Sequence, residues 1–258
     1  MGGGRSSPQV LSWLARLGAP LPFAQAADLL QELTGIHVRA ATVRRQTEAL
    51  GATAVALVAA EVERLEQDTP PPPLGPAQLV LGADGAMVPL VRGEWAEVKL
   101  LTLGEPRPGR AAAAPVAGSE PTTTSRTERL SYCARLADAE TFGRQALVEL
   151  HRRGLETAGA VAAVQDGAPW LQRFVDFHRP DALRILDWPP AAQRLTAMTE
   201  QLFGVQSPRS QRVANRLRGW LWTQGPPRVL AVLTAWEAAA PAITGDVAYL
   251  RERQAQLD

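Results

Sequence analysis

Between Thr69 and Pro76 the chain reads TPPPPLGP, and no other stretch limits the fold so sharply. Proline locks φ and carries no N–H, so neither a helix interior nor a central strand can run through four in succession. The stretch is a boundary, and the apolar period changes across it. Residues 8 to 68 read as helical. Phe23, Ala27, Leu30 and Leu33 recur at helical spacing, and Thr34-Gly35 is a stop signal. A second run, Ala40 to Leu50, sets Val43, Thr47 and Leu50 on one face, with Gly51 as its expected C-cap. A third helix is expected over Ala52 to Glu66.

Beyond the prolines the pattern turns strand-like. Strands are expected over Gln78 to Leu90, Trp95 to Leu103 and about Arg129 to Arg135, with a low-complexity mobile loop at 104–125. A helix opened by Asp138 and closed near Gly154 follows, with Phe142, Ala146 and Leu150 inside. Then come a strand at Ala160 to Gln165, a short helix, and a strand at Ala182 to Leu186. From Pro189 the chain reads helical, broken at SPRS and QGPP. Three consecutive strands predict an antiparallel meander, and the helix-separated strands predict parallel crossovers. The expected fold is thus α/β with a mixed sheet, laid out like an RNase H-like domain. It divides into a helical domain at 1–70, the sheet domain at 71–188 and an all-helical insertion at 189–258.

Composition excludes several classes. The formal net charge is +1, so a nucleic-acid footprint has to be local. Arginine supplies nearly all the positive charge, and Lys99 is the sole lysine. Cys133 stands alone, which rules out an internal disulfide framework and fits a reducing, cytoplasmic compartment. No apolar run reaches spanning length, so no membrane partner is expected. The N-terminal MGGGRSS fits a loose myristoylation pattern, or simply a disordered start. His37, His151 and His178 have no metal-ligand spacing with one another or with Cys133.

The acids carry the chemistry. Asp84 interrupts the apolar run LVLGADGAMVPL. With Gly85 it matches a two-residue hairpin turn, and spacing alone does not choose between turn and site. Asp166, followed by Gly167, Ala168 and Pro169, suits a helix N-cap, as does Asp187 ahead of Pro189. Glu94 and Glu97 read as a solvated strand face. Joint placement favours Asp84 and Asp166. One lies on the first strand, and the other ends the first strand after the crossover helix. In an RNase H-like sheet those strands are neighbours. Converging carboxylates repel, and hard divalent cations with oxygen ligands relieve that repulsion. Such ions can activate a water or 3′-hydroxyl at a phosphodiester.

Two blocks resemble the DDE transposases of bacterial insertion sequences, in particular the ISKra group. LVLGADGAMVPLVRGEWAEVKLLTLG is similar to that group's D-G-x-x-V-P strand followed by E-W-x-E-V-K. VAAVQDGAPWLQRFVDFHRPDALRILDWPPAAQRL resembles its D-G-A-x-W segment, its F-x-x-P-D-A turn and its I-L-D-W strand end. The resemblance implies Asp84 and Asp166 as catalytic, metal-ligating acids, with Asp187 the competing second acid and Mg2+ or Mn2+ as cofactor. It implies element-end DNA as partner, self-association on DNA and a place in the bacterial nucleoid. It also implies a third acid, a glutamate in a G-S-G-x-x-E type segment. The chain ends at RERQAQLD, about where that segment should begin, and Glu200, Glu237 and Glu252 lack the small residues ahead of them. A transposase cut short is therefore expected, with a non-catalytic DNA-binding regulator or an inert remnant as alternatives.

Phe23 to Leu33, a turn at Thr34 to Arg39, and Ala40 to Leu50 have helix-turn-helix proportions. Arg39, Thr42, Arg44, Arg45 and Gln46 could meet phosphates or base edges; a plain helical hairpin fits equally. Residues 1 to 51 carry five arginines against three acids, a local +2. Arg209, Arg212 and Arg216 form a second basic face over a core of Val213, Leu217, Trp220 and Leu221. That face could track a DNA backbone or simply be solvated.

Overall fold

A computed structural model of the 258-residue chain describes residues 7–90, 93–108 and 125–257. The proposed myristoylation site and residues 109–124 of the expected loop lie outside these. The chain divides into two compact units, one ending at Pro70 and the other beginning at Pro71.

The first unit packs three helices, α1 (Pro8–Gly18), α2 (Phe23–Thr34) and α3 (Ala40–Asp68), around Leu14, Ala26, Ala27, Leu30 and Val43. Ser7 caps α1, its hydroxyl accepting from the Val10 N–H at 3.3 Å. Gly18 lets α1 meet α3, since a Cβ there would lie 2.2 Å from Thr47 Oγ1. Gly35, at φ +72°, closes α2 as its sequence signal requires. Two expectations need correction. Gly51 ends no helix: α3 runs straight through it for 29 residues. The alanine-rich flanks propagate helix, and one interior glycine weakens a helix without breaking it. Leu33 and Leu50 are exposed, because the small core is filled before the stripe reaches them.

The second unit holds a five-stranded sheet: β1 (Gln78–Pro89), β2 (Trp95–Pro108), β3 (Ser125–Leu136), β4 (Ala160–Gln165) and β5 (Leu183–Leu186), in the order β3-β2-β1-β4-β5. The first three strands form the expected antiparallel meander. β1 pairs with β4 in parallel, and β4 with β5. Strands β2 and β3 extend into the stretch expected as loop, through Pro106 and Pro108. Proline is tolerated there because no β1 residue pairs with β2 beyond Gly104, which makes that stretch an edge.

Helices α4 (Ala139–Arg152) and α5 (Pro169–His178) cover one face of this sheet. Leu79, Leu81, Leu101, Leu103, Val161 and Ala163 meet Phe142, Ala146, Leu150 and Phe174 there. Phe142 stacks on Phe174 at 5.8 Å and meets the edge of Trp170 at 6.0 Å. Asp138 caps α4 as expected, accepting from the Thr141 N–H at 2.9 Å and the Thr141 hydroxyl at 2.8 Å. These bonds hold its carboxyl below the usual carboxylate range. Arg179 ties the α4–β4 and α5–β5 connections together. Its guanidinium donates to the carbonyls of Leu155 (2.6 Å), Glu156 (3.2 Å), Ala158 (3.0 Å) and Gly159 (3.2 Å), and to Asp181 (2.7 Å).

The remaining helices are α6 (Trp188–Phe203), α7 (Pro208–Gln224), α8 (Pro226–Ala239) and α9 (Thr244–Glu252). They break where SPRS and QGPP predict. They share an apolar core that includes Leu195, Met198, Leu217, Leu221, Leu233 and Val247.

Candidate functional site

Asp84 lies inside a strand. The β1–β2 ladder is unbroken from Val80↔Gly104 to Pro89↔Trp95, with Asp84 opposite Leu100. The chain reverses six residues later, where the Leu90 N–H donates to the Glu94 carbonyl at 2.7 Å. The hairpin-turn reading of Asp84-Gly85 is therefore overturned. Ten paired positions against β2 outweigh a dipeptide preference. Side chains alternate along β1, and Leu79, Leu81 and Ala83 face α4 and α5. Asp84 follows Ala83 and is exposed on the other face.

The parallel register brings in Asp166. Gln78 pairs with Ala160, and Gly82 with Val164, a constant offset of 82. Carried two residues past its last pair, that offset sets residue 166 opposite residue 84. Neighbouring strands lie about 4.8 Å apart. Asp166 is the first residue after β4, and its Oδ1 accepts from the Ala168 N–H at 2.8 Å. The expected N-cap role of Asp166 is corrected: Ala168 takes the N-cap position of α5, and the aspartate closes a turn before it. Asp187 does cap a helix, α6, with Oδ1 accepting from the Trp188 N–H at 2.8 Å. Its own N–H donates to the Gln165 carbonyl at 2.8 Å, so it sits one strand further along the same edge.

Asp84 and Asp166 each commit Oδ1 to a nearby backbone N–H, Asp84 to that of Gly85 at 2.7 Å. Both side chains are exposed. Carboxylate oxygens of this kind are the hard donors that divalent cations such as Mg2+ and Mn2+ take. Among the described residues no group of three or more His, Cys, Asp or Glu side chains could hold a metal ion. Glu252 lines the same cleft as Asp166, of about 590 Å³, together with Arg194, Tyr249 and Arg253. It pairs there with Arg253 at 3.1 Å. Glu237 pairs with Arg251 at 2.7 Å, and Glu200 accepts from the Gln206 N–H at 3.2 Å.

The turn after β4 is held from far along the chain. The Tyr249 hydroxyl donates to the Asp166 carbonyl. Arg253 donates through Nε and Nη2 to the Gly167 carbonyl at 3.0 and 2.7 Å. Burial pushes the Tyr249 phenol up, which keeps its proton in place to donate. Sequence reading missed both residues, and no local motif marks them.

Lys99 was also missed as more than a composition fact. It is only 5% exposed, pairs with Glu97 at 2.7 Å and lies 4.8 Å from the centre of the Trp170 ring. Glu97 is exposed, as a solvated strand face predicts, and is also the ion-pair partner of Lys99. Gln165, next to Asp166, is 4% exposed, and both its amide atoms lack a hydrogen-bond partner.

The candidate DNA-contact residues lie where helix geometry puts them. Arg39 occupies the N-cap position of α3, and Thr42, Arg44, Arg45 and Gln46 its first two turns. The three arginines are exposed, Thr42 and Gln46 half-buried, and Arg44 makes a loose 3.6 Å pair with Glu48. On α7, Arg209, Arg212 and Arg216 are exposed, while Leu217 and Leu221 are buried and Val213 and Trp220 pack beside them. Arg209 stacks on Phe203 at 4.6 Å, and Arg212 donates to the Pro208 carbonyl at 3.1 Å. The histidines have partners of their own: Gln31 for His37, Glu156 for His151, and the Gly143 carbonyl for His178. No described helix is long and apolar enough to cross a membrane.

No protein-family model matches this chain, and no curated protein matches it.

Proposed function

We propose that the chain is a transposase-type DNA-processing protein of a bacterial insertion sequence. Its sheet unit would have an RNase H-like fold, and Asp84 and Asp166 would ligate Mg2+ or Mn2+ at a phosphodiester. One observation carries the reading: the β1–β4 register sets the two acids at one level of a sheet ordered β3-β2-β1-β4-β5. The bound ion would supply Lewis-acid stabilisation of charge on the phosphate oxygens. The chain's own part is to fix one oxygen donor within a paired strand and another on the turn after its neighbour, and to present both to solvent, where a DNA strand can reach them. Arg39, Thr42, Arg44, Arg45 and Gln46 on α3 would contact element ends. Arg209, Arg212 and Arg216 would follow the backbone, and self-association would occur on DNA.

Nicking of supercoiled plasmid in Mn2+, measured alongside Mn2+ binding, tests the reading. Asp84→Asn is expected to weaken Mn2+ binding at least tenfold and to abolish nicking while leaving the fold intact. Unchanged nicking in that variant would sink the assignment. A second reading, a non-catalytic DNA-binding regulator, is favoured by the lack of a three-acid group among the described residues. It predicts no metal-dependent nicking by the wild-type chain, but DNA binding that Arg45→Ala weakens. Under either reading, loss of one phosphate contact should lower the slope of log affinity against log salt by about one.

A further inference from the structure

We propose that Tyr249 and Arg253 are positioning residues for Asp166: they hold the turn that aims its carboxylate. This rests on the metal-binding reading of Asp166 given above. Asp84 is aligned by ladder partners on β2. Asp166 has left β4, whose strand ends at Gln165. Its orientation depends instead on a turn in which its own Oδ1 accepts from the Ala168 N–H.

That turn is gripped by both of its carbonyls. Tyr249 takes the carbonyl of Asp166, and the Arg253 guanidinium takes that of Gly167 with two N–H groups. The grip is itself braced. The Tyr249 ring lies between the guanidiniums of Arg253 at 4.2 Å and Arg194 at 4.5 Å. Asp246 fixes Arg194 at 2.5 Å, and Arg253 Nη1 donates back to the Tyr249 carbonyl at 3.1 Å. Gly167 is fitted to the contact. Its φ is +81°, and a Cβ there would lie 2.5 Å from Arg253 Nε and 2.9 Å from the Tyr249 hydroxyl. Gln172 and Gln256 join the same two segments through paired amides at 3.2 and 3.4 Å. The carboxylate therefore reads the position of the end of α9, more than eighty residues away in the chain.

The test uses the full chain and two observables. One is exchange of the Ala168 amide hydrogen, followed by NMR. The other is Mn2+ affinity, from the electron paramagnetic resonance of free Mn2+. Tyr249→Phe removes one hydroxyl and keeps the ring between its guanidiniums, so the fold should survive. Arg253→Lys keeps the charge and loses the two-pronged donation. Each is expected to speed Ala168 exchange and to weaken Mn2+ binding, both by about tenfold, the scale of one lost charged or well-placed hydrogen bond. Wild-type exchange and wild-type affinity in both variants would overturn the proposal while leaving the metal reading standing. A wild-type chain that binds no Mn2+ would overturn the metal reading, and the positioning role with it.

Discussion

The acid pair and the arginine cluster that opens α3 are built by opposite means. Asp84 and Asp166 lie 82 residues apart in sequence, and only the parallel pairing of β1 with β4 sets them at one level of the sheet. A slip of β4 by one residue would turn Asp166 to the other face of the sheet while Asp84 stayed in its ladder with β2. Arg39, Arg44 and Arg45 lie within seven residues, on the exposed side of a helix held by Val43. On the metal-binding reading proposed above, two ligands on one ion must converge within ångströms. Arginines that follow phosphates need only share a surface, since their reach is set by flexible side chains. The acid region should therefore be intolerant of changes in its scaffold, and α3 tolerant of them.

Arg179→Met is the hardest blow to the acid region. It leaves four carbonyls short of a largely buried guanidinium, and should cost about 3–5 kcal/mol in urea unfolding. Acid comes next. The His178 imidazole is half-buried and donates from Nε2 to the Gly143 carbonyl at 2.9 Å. Burial lowers its pKa to about 4, below the ordinary 6.5. The unfolded chain then takes up the proton first. Its contribution to stability is complete above pH 6.5 and is lost as the pH falls toward 4, by up to about 3 kcal/mol. His178→Gln should flatten that part of the pH profile of unfolding. The smallest change falls on α3. Gly51→Ala should raise thermal stability by about 0.5–1 kcal/mol, since the site is exposed mid-helix and a Cβ there touches nothing within 4 Å. A loss of stability there would show that α3 is as constrained as the sheet.

Strand order and the covering helix were legible in sequence because each rests on local signals. Proline runs mark the boundary, Asp138 and Gly154 bracket α4, and Phe142, Ala146 and Leu150 repeat at helical spacing. Where local and long-range signals disagreed, the long-range ones prevailed. Asp84-Gly85 looks like a turn and lies in a ladder. Gly51 looks like a cap and lies in a helix. Pro106 looks like loop and lies in an edge overhang. Within the candidate site, Asp84 and Asp166 could be paired by counting strands. Tyr249 and Arg253 could not, because a hydrogen bond from a side chain to a distant carbonyl leaves no periodicity or motif. Lys99 was visible as the only lysine, yet its burial beside Trp170 depends on α5 lying across the sheet.

The β1–β4 pairing also has a consequence in time. The β1–β2–β3 meander pairs strands that follow one another in the chain, and it can form as soon as they leave the ribosome. Joining Gly82 to Val164 closes a loop of 82 residues and cannot begin until α4 and β4 have been made. Contacts of such separation form slowly, since closure entropy precedes any gain from pairing. A nascent chain thus displays Asp84 on a finished hairpin well before its partner acid exists, and the two-acid arrangement is among the last features to mature.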